Sequence, residues 1–372
     1  MKFLGILLLI FAATLAPAAT LMTVEQLKTE LASMKQAGKS DEDVATRLKE
    51  INLSEELSHS AKASLAPYLP GDFSNEQILI MQARSAFLPP PAGDIVSAPA
   101  PDGAAQKAIL DKTTDYVTKT YGQLPAMTAT KSTARYQDSI SNGSSAPGLV
   151  VNGPNTYARL ADEQVDRVET EHGVEKPAEK DKTPWGQNGE VSPPGPQLPL
   201  AEVVQEALAG GKLAFEHWQT VGDTRIAVFT FGVDKKKSRY DVSYCCFPKT
   251  DTASGVAAMG TFVPVPGEIQ SVSSWRPYKK TVPFHGELYI NPDSGAVVRV
   301  IEIAELKPND TVHQEAIRID YSPTVVAGTE YELPLLSITL NEVVPGDESN
   351  ITVYSVRHAL FSSTYGNYQL RK

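Results

Sequence analysis

FHGELYINPDSGAVVRVIEI, residues 284–303, reads as two strands joined by a tight turn. Pro292 pre-sets the backbone angle needed at a turn's second position, and Gly295 supplies the left-handed residue that lets the chain return. On the return strand, Val297, Ile301 and Ile303 alternate with Ala296, Val298 and Val300. Both faces of that strand are therefore apolar, and a strand apolar on both sides is covered on both sides.

The same signal repeats on either flank. Downstream, Ile317, Ile319 and Tyr321 alternate with Arg318 and Asp320, Gly328 turns the chain into YELPLLSITL, and a last strand covers Ile351 to about Phe361. Upstream, period-two stretches run through Leu213–Trp218 and Ile226–Phe231, while Tyr240, Val242 and Tyr244 share a face opposite Arg239, Asp241 and Ser243. Successive strands with short turns imply an antiparallel sheet. A helix enters just before it: Leu200, Val203, Val204, Ala207 and Leu208 form one stripe, with Pro199 ahead and Gly210-Gly211 behind. The expected fold class is α+β, with one or two helices packed on a curved, half-barrel-like sheet.

Towards the N-terminus the period changes. Residues 19–90 read as a small helical module. Thr23 with Gln26 and Ser74 with Gln77 have capping-box spacing, Ser40 with Asp43 is a near variant, and Gly38 and Gly71 mark helix stops. So few residues bury little apolar area, so the module is expected to dock on something larger. Residues 91–104, rich in Pro and Ala, form an extended linker. The β-rich domain then spans 105–372, with helices near 105–121 and 199–209, a strand in MTATKSTARYQDS and a charged, Pro-rich loop over about 162–199.

The first residues place the chain. A basic start, an apolar run from Leu4 to Leu15 and the small-x-small site Ala16-Pro17-Ala18 make residues 1–18 a secretory signal peptide. The run is shorter than the roughly 20 residues of a membrane-crossing helix, so no transmembrane anchor is expected and the destination is the periplasm or the medium. The 372 residues carry a formal net charge of −10. No Lys/Arg cluster exceeds Lys235-Lys236-Lys237, so a nucleic-acid partner is not expected.

RYDVSYCC (239–246), FHGELYINPDSGAVVRV (284–300) and IDYSPTVVAGTEYELPLLSI (319–338) resemble a family of exported proteins from soil bacteria, as do SDEDVATRLKEINLSEELS and SAFLPPPAG in the module. That family usually carries a cysteine where this sequence has Leu333, a departure that weakens any multi-cysteine site. GELYINPDSGAVVRV (286–300) more distantly resembles a hairpin of the periplasmic lipoprotein-carrier half-barrels, the LolA-like group, over about the last 170 residues. The resemblance implies a sheet curled around an apolar cavity roofed by helices. Fold alone assigns no function.

Cys245 and Cys246 are the only cysteines. Neighbouring Cα atoms lie about 3.8 Å apart, below the roughly 4.4–6.8 Å of ordinary disulfides, and in a regular strand the two thiols face opposite ways. A bond between them needs a broken strand, which Pro248 favours. Three readings stand: a pair that shapes a strand end, an intermolecular disulfide, or a redox or metal role. Zinc wants four ligands, and no second half lies nearby.

Other chemistry finds little footing. The six histidines, His59, His172, His217, His285, His313 and His358, include no i, i+4 pair and no H-E-x-x-H. His285 and Glu287 share a strand face, the geometry of a general-base pair or of an ordinary polar face. G-x-S-x-G and phosphate-binding glycine loops are missing. Glu216, Glu287, Glu302 and Glu305 lie in or beside strands, where a glycosidase pair competes with ordinary outward carboxylates. The expectation is a non-enzymatic envelope protein, without cofactor, binding a lipid, acyl chain or peptide in the half-barrel. The alternatives are a scaffold meeting an envelope partner through its helical module, and a thiol-redox protein using Cys245 and Cys246. On the scaffold reading, residues 20–90 are expected to be removable with the β-rich domain left folded.

Overall fold

A computed structural model describes residues 20–138, 157–159, 164–177, 198–244, 253–258, 261–266, 278–307, 310, 312–343 and 357–371. The N-terminal region runs β1 (Thr20–Met22), α1 (Val24–Gln36), α2 (Asp41–Lys49), β2 (Ile51–Leu53), α3 (His59–Leu65) and α4 (Asp72–Ser85). β3 (Ile95–Val96), α5 (Gly103–Asp115), β4 (Met127–Asp138), β5 (Tyr157–Arg159), β6 (Gln164–Glu171), β7 (Val174–Pro177) and α6 (Leu200–Gly210) follow. Then come β8 (Ala214–Val221), β9 (Thr224–Val233), β10 (Asp241–Tyr244), β11 (Ala253–Ala258), β12 (Thr261–Pro266) and β13 (Tyr278–Thr281). The chain closes with β14 (Phe284–Ile290), β15 (Val297–Ala304), β16 (Val312–Val326), β17 (Thr329–Val343) and β18 (Arg357–Leu370).

The fold is α+β around one large open antiparallel sheet. Its order is β3-β8-β9-β14-β15-β16-β17-β18-β4-β6-β7, with β5 paired to β4 beside that path. β8 and β9, then β14 to β18, give the sheet its meander, β10 with β13 and β11 with β12 form separate two-stranded pairs, and β4 returns from the N-terminal side to pair with β18. The turn at 291–296 explains why the chain reverses there. The Asn291 side chain accepts hydrogen bonds from the backbone N–H groups of Asp293 and Ser294 at 2.9 and 3.3 Å, and Gly295 sits at φ +77°. A side chain at 295 would also run into the backbone of Lys112, so this turn is seated against α5.

One face of the sheet carries α6. Val203, Val204 and Ala207 are buried with Phe229, Phe231, Phe284, Leu288, Val300 and Ile317. Pro199 precedes the helix, and Gly211 closes it at φ +76°. Gly210 lets the helix come close: a Cβ there would strike the carbonyl oxygen of Gly232. α5 passes through a π-helical turn (Tyr116–Thr120) and a 3-10 turn (Tyr121–Gln123). The far end of the β16–β17 hairpin folds over these turns, burying Tyr321, Val326 and Leu333 with Tyr116, Val117 and Tyr121.

The opposite face carries the helical module. Ile80, Ala83 and Ala86 of α4 and the residue after it pack with Tyr136, Ile338 and Leu360. Thr23 closes a full capping box with Gln26, and Ser40 caps α2. Ser74 does not cap α4, which begins earlier: Gly71 is the N-cap, in extended backbone, and is not a helix stop. Asp41, from the first turn of α2, accepts hydrogen bonds from the N–H groups of Phe73 and Ser74, both at 2.9 Å. A distant residue thus does what a local cap would do.

Two stretches differ from expectation. The linker's Ile95–Val96 pairs with β8, and the Trp218 indole donates to the Pro99 carbonyl at 3.0 Å. A proline-rich segment thereby covers the sheet's edge. Within the stretch read as a charged loop, β6 and β7 form a hairpin whose turn, at His172 and Gly173, has positive φ.

Candidate functional site

An open recess lies on the helical module. β1 pairs with β2 in parallel, and α4 closes the recess from the side. Leu21, Ile51, Leu53, Met81 and Leu88 give it an apolar lining, Asn52, Arg84 and Ser85 give it polar points, and its volume is about 300 Å³. That is the lower end of the range of small ligand sites. The Arg84 guanidinium donates to the Asn52 amide oxygen at 2.6 Å, so the polar end is held in place. Thr20 donates to Glu50, and Met22 accepts from Ser54, so both bond towards β2. Leu21, between them, presents its backbone N–H and C=O to the other side, and the residue is 67% exposed.

A cavity on the α6 face is much smaller. It measures about 20 Å³ and lies between the 3-10 turn and the β16–β17 hairpin, lined by Tyr121, Tyr321, Tyr365, Tyr368, Leu333 and Glu175 among others. That is room for one water. Its polar groups are already matched: Glu175 accepts from Lys131 at 2.7 Å and from the Tyr365 hydroxyl at 2.9 Å, and Tyr368 donates to Pro334 at 2.6 Å.

Beside this packed region sits a group of buried acids. Glu302 on β15 and Glu315 on β16 are both 0% exposed, and Glu206 on α6 is 4% exposed. Burial, then the neighbouring Glu315 and Glu206 charges, push the Glu302 carboxyl from 4.5 up to about 8. It is therefore protonated at neutral pH. Burial also drives the Tyr240 hydroxyl, which faces Glu315, well above its usual range.

On the α4 face the charges are balanced. Glu56, from the loop after β2, meets Arg299 at 3.2 Å and Arg318 at 2.7 Å. Asp320 binds the same two arginines at 2.6 and 2.8 Å. Burial opposes its ionisation, but Arg299 and Arg318 outweigh that and hold its carboxyl at about 2. Arg318 also donates to the Ala86 carbonyl at 3.2 Å, which ties the sheet to the end of α4.

Cys245 and Cys246 lie outside the described residues, as does the expected signal peptide. His285 pairs with Glu305 at 3.4 Å, not with Glu287, which accepts from the Tyr289 hydroxyl at 2.7 Å. Both members of the His285–Glu305 pair are half exposed, and the arrangement is an ordinary polar face. His217 lies 3.2 Å from Gln219. His313 and His358 flank Glu342 at 3.6 and 3.5 Å, across three strands, which no local spacing reveals. Among the described residues no three His, Cys, Asp or Glu side chains are placed to hold a metal. Glu302 is the one proposed glycosidase carboxylate that is buried, and it faces inward; its acidic neighbours, Glu315 and Glu206, were not in that set.

Comparison with protein families, with curated proteins and with solved structures finds no match. No helix among the described residues is long and apolar enough to cross a membrane.

Proposed function

We propose that this chain is an exported, non-enzymatic binding protein of the cell envelope, and that it takes an extended apolar peptide segment of a partner in the recess between β1, β2 and α4. The observation that carries the reading is the contrast in space: about 300 Å³ open on the module against about 20 Å³ on the α6 face. The small cavity on the α6 face, with room for about one water, gives no support to an acyl chain held there. A two-stranded sheet with no further strand on it among the described residues, beside an apolar groove, is the layout of strand addition. Main-chain hydrogen bonds give such a site affinity, and side-chain recesses give it specificity. Leu21 is exposed here, and its backbone groups point away from β2. The export signal at residues 1–18 supports the location.

The test selects binders from a displayed library of random peptides against the full chain. Binders that lose ten-fold or more in affinity on Leu21→Asp, and keep it on Val325→Asp, support the reading. Val325 is a fair control, because it is equally exposed but lies on the far hairpin. Binders indifferent to Leu21→Asp overturn it, and a lipid that co-purifies with the chain and is seen by mass spectrometry returns the argument to the half-barrel.

A further inference from the structure

Glu302 has a problem that its surroundings do not solve with charge. It is fully buried, and neither carboxyl oxygen has a hydrogen-bond partner. The groups that face it from the packed elements are Glu315 and Tyr321 on β16, Glu206 on α6, and Tyr240 ahead of β10. β14 places Gly286 opposite and brings no side chain, while β16 places Ile317 opposite on the other side. Arg239 is the cation paired with Glu206 in this group. It binds Glu206 at 2.8 Å and Glu202 at 3.1 Å, both on α6. What remains to neutralise Glu302 is a proton.

We propose that a proton on Glu302 latches α6 onto the sheet, and that alkaline conditions release the latch and free the helix. Losing that proton creates a buried anion beside Glu315 and Glu206. Of the three acids, Glu206 belongs to the element that can move away. α6 is held by its apolar stripe, by the Gly210–Gly232 approach and by the Arg239 bonds to Glu202 and Glu206, and repulsion at position 206 acts on the helix directly. The raised carboxyl, at about 8 against an ordinary 4.5, sets the window. Between those values the folded chain holds a proton that the unfolded chain has lost, so stability falls as pH rises through the interval and levels off above it. The folding constant drops about ten-fold per pH unit there. The proposal is independent of what the module's recess binds.

Hydrogen exchange of amides 200–210 in the full chain, corrected for intrinsic rates, tests it at about pH 6 and about pH 9. The native chain should lose at least ten-fold in α6 protection relative to β9 at the higher pH, and Glu302→Gln should remove that loss. Equal losses in both chains overturn the proposal. Should Glu302→Gln fail to fold, a carbon-13 carboxyl titration of Glu302 in the native chain decides. A midpoint near 8 supports the latch and one near 4.5 overturns it.

Discussion

At Glu56 two carboxylate oxygens meet two guanidinium groups, and Glu56, Arg299 and Arg318 are all under 10% exposed. Removing one member of a buried charged set leaves its partners unpaired in a medium that cannot solvate them. Glu56→Ala should therefore cost about 3–5 kcal/mol in urea unfolding. A loss below about 1 kcal/mol, the scale of an exposed pair, would show that water reaches the cluster. Asp320 adds a pH signature. Its stabilising contribution is full above its ordinary 3.8 and is lost as pH falls through about 2. The native chain and Asp320→Asn should thus differ most above that window and converge at its acid end, as read by circular dichroism. Glu302 shows what the sequence held and what it hid. A glutamate in a strand apolar on both faces must be buried whichever face it takes, and that inference was open from residues 296–303 alone. Its company was not, because Glu315 and Glu206 arrive from another strand and a helix.

For the elements, local chemistry was legible wherever it was self-sufficient. The Asn-Pro-Asp-Ser-Gly turn, the Thr23 and Ser40 caps and the α6 stripe all form where residues within a few positions of each other satisfy the backbone. The start of α4 was misread because its N–H groups are satisfied by Asp41, 32 residues before Phe73. β6 and β7 were hidden by their charges, which are matched across strands, as with Lys131 and Glu175, and not along them. Close approaches are equally invisible in sequence, and they can be tested. Gly210→Ala should lower stability by about 1–3 kcal/mol, because its Cβ meets the Gly232 carbonyl and the helix must shift. Gly93→Ala, with nothing within 4 Å, should change the thermal midpoint little. Equal behaviour of the two variants would contradict the tight seating of α6.

For the molecule as a whole, the large sheet is covered on both faces, by α5 and α6 on one side and by the module on the other. The strand at 297–304 is apolar on both sides for that reason, and this part of the fold could be read from its sequence. The module's attachment revises the expectation that residues 20–90 can be cut away cleanly. Their removal uncovers Ile338, Leu360 and Tyr136 and strips Glu56 from Arg299 and Arg318. The shortened chain should aggregate or unfold at temperatures where the full chain stays monodisperse in light scattering, and a soluble, cooperatively folding product would show that the two parts are separable. The recess at β1 and β2 could not be foreseen, since it depends on where α4 lies. Hydrogen exchange on the full chain with and without a selected peptide tests that recess most directly. Protection gained at residues 20–22, 51–53 and 81–88 is the predicted result, and protection confined to strands of the large sheet would contradict it.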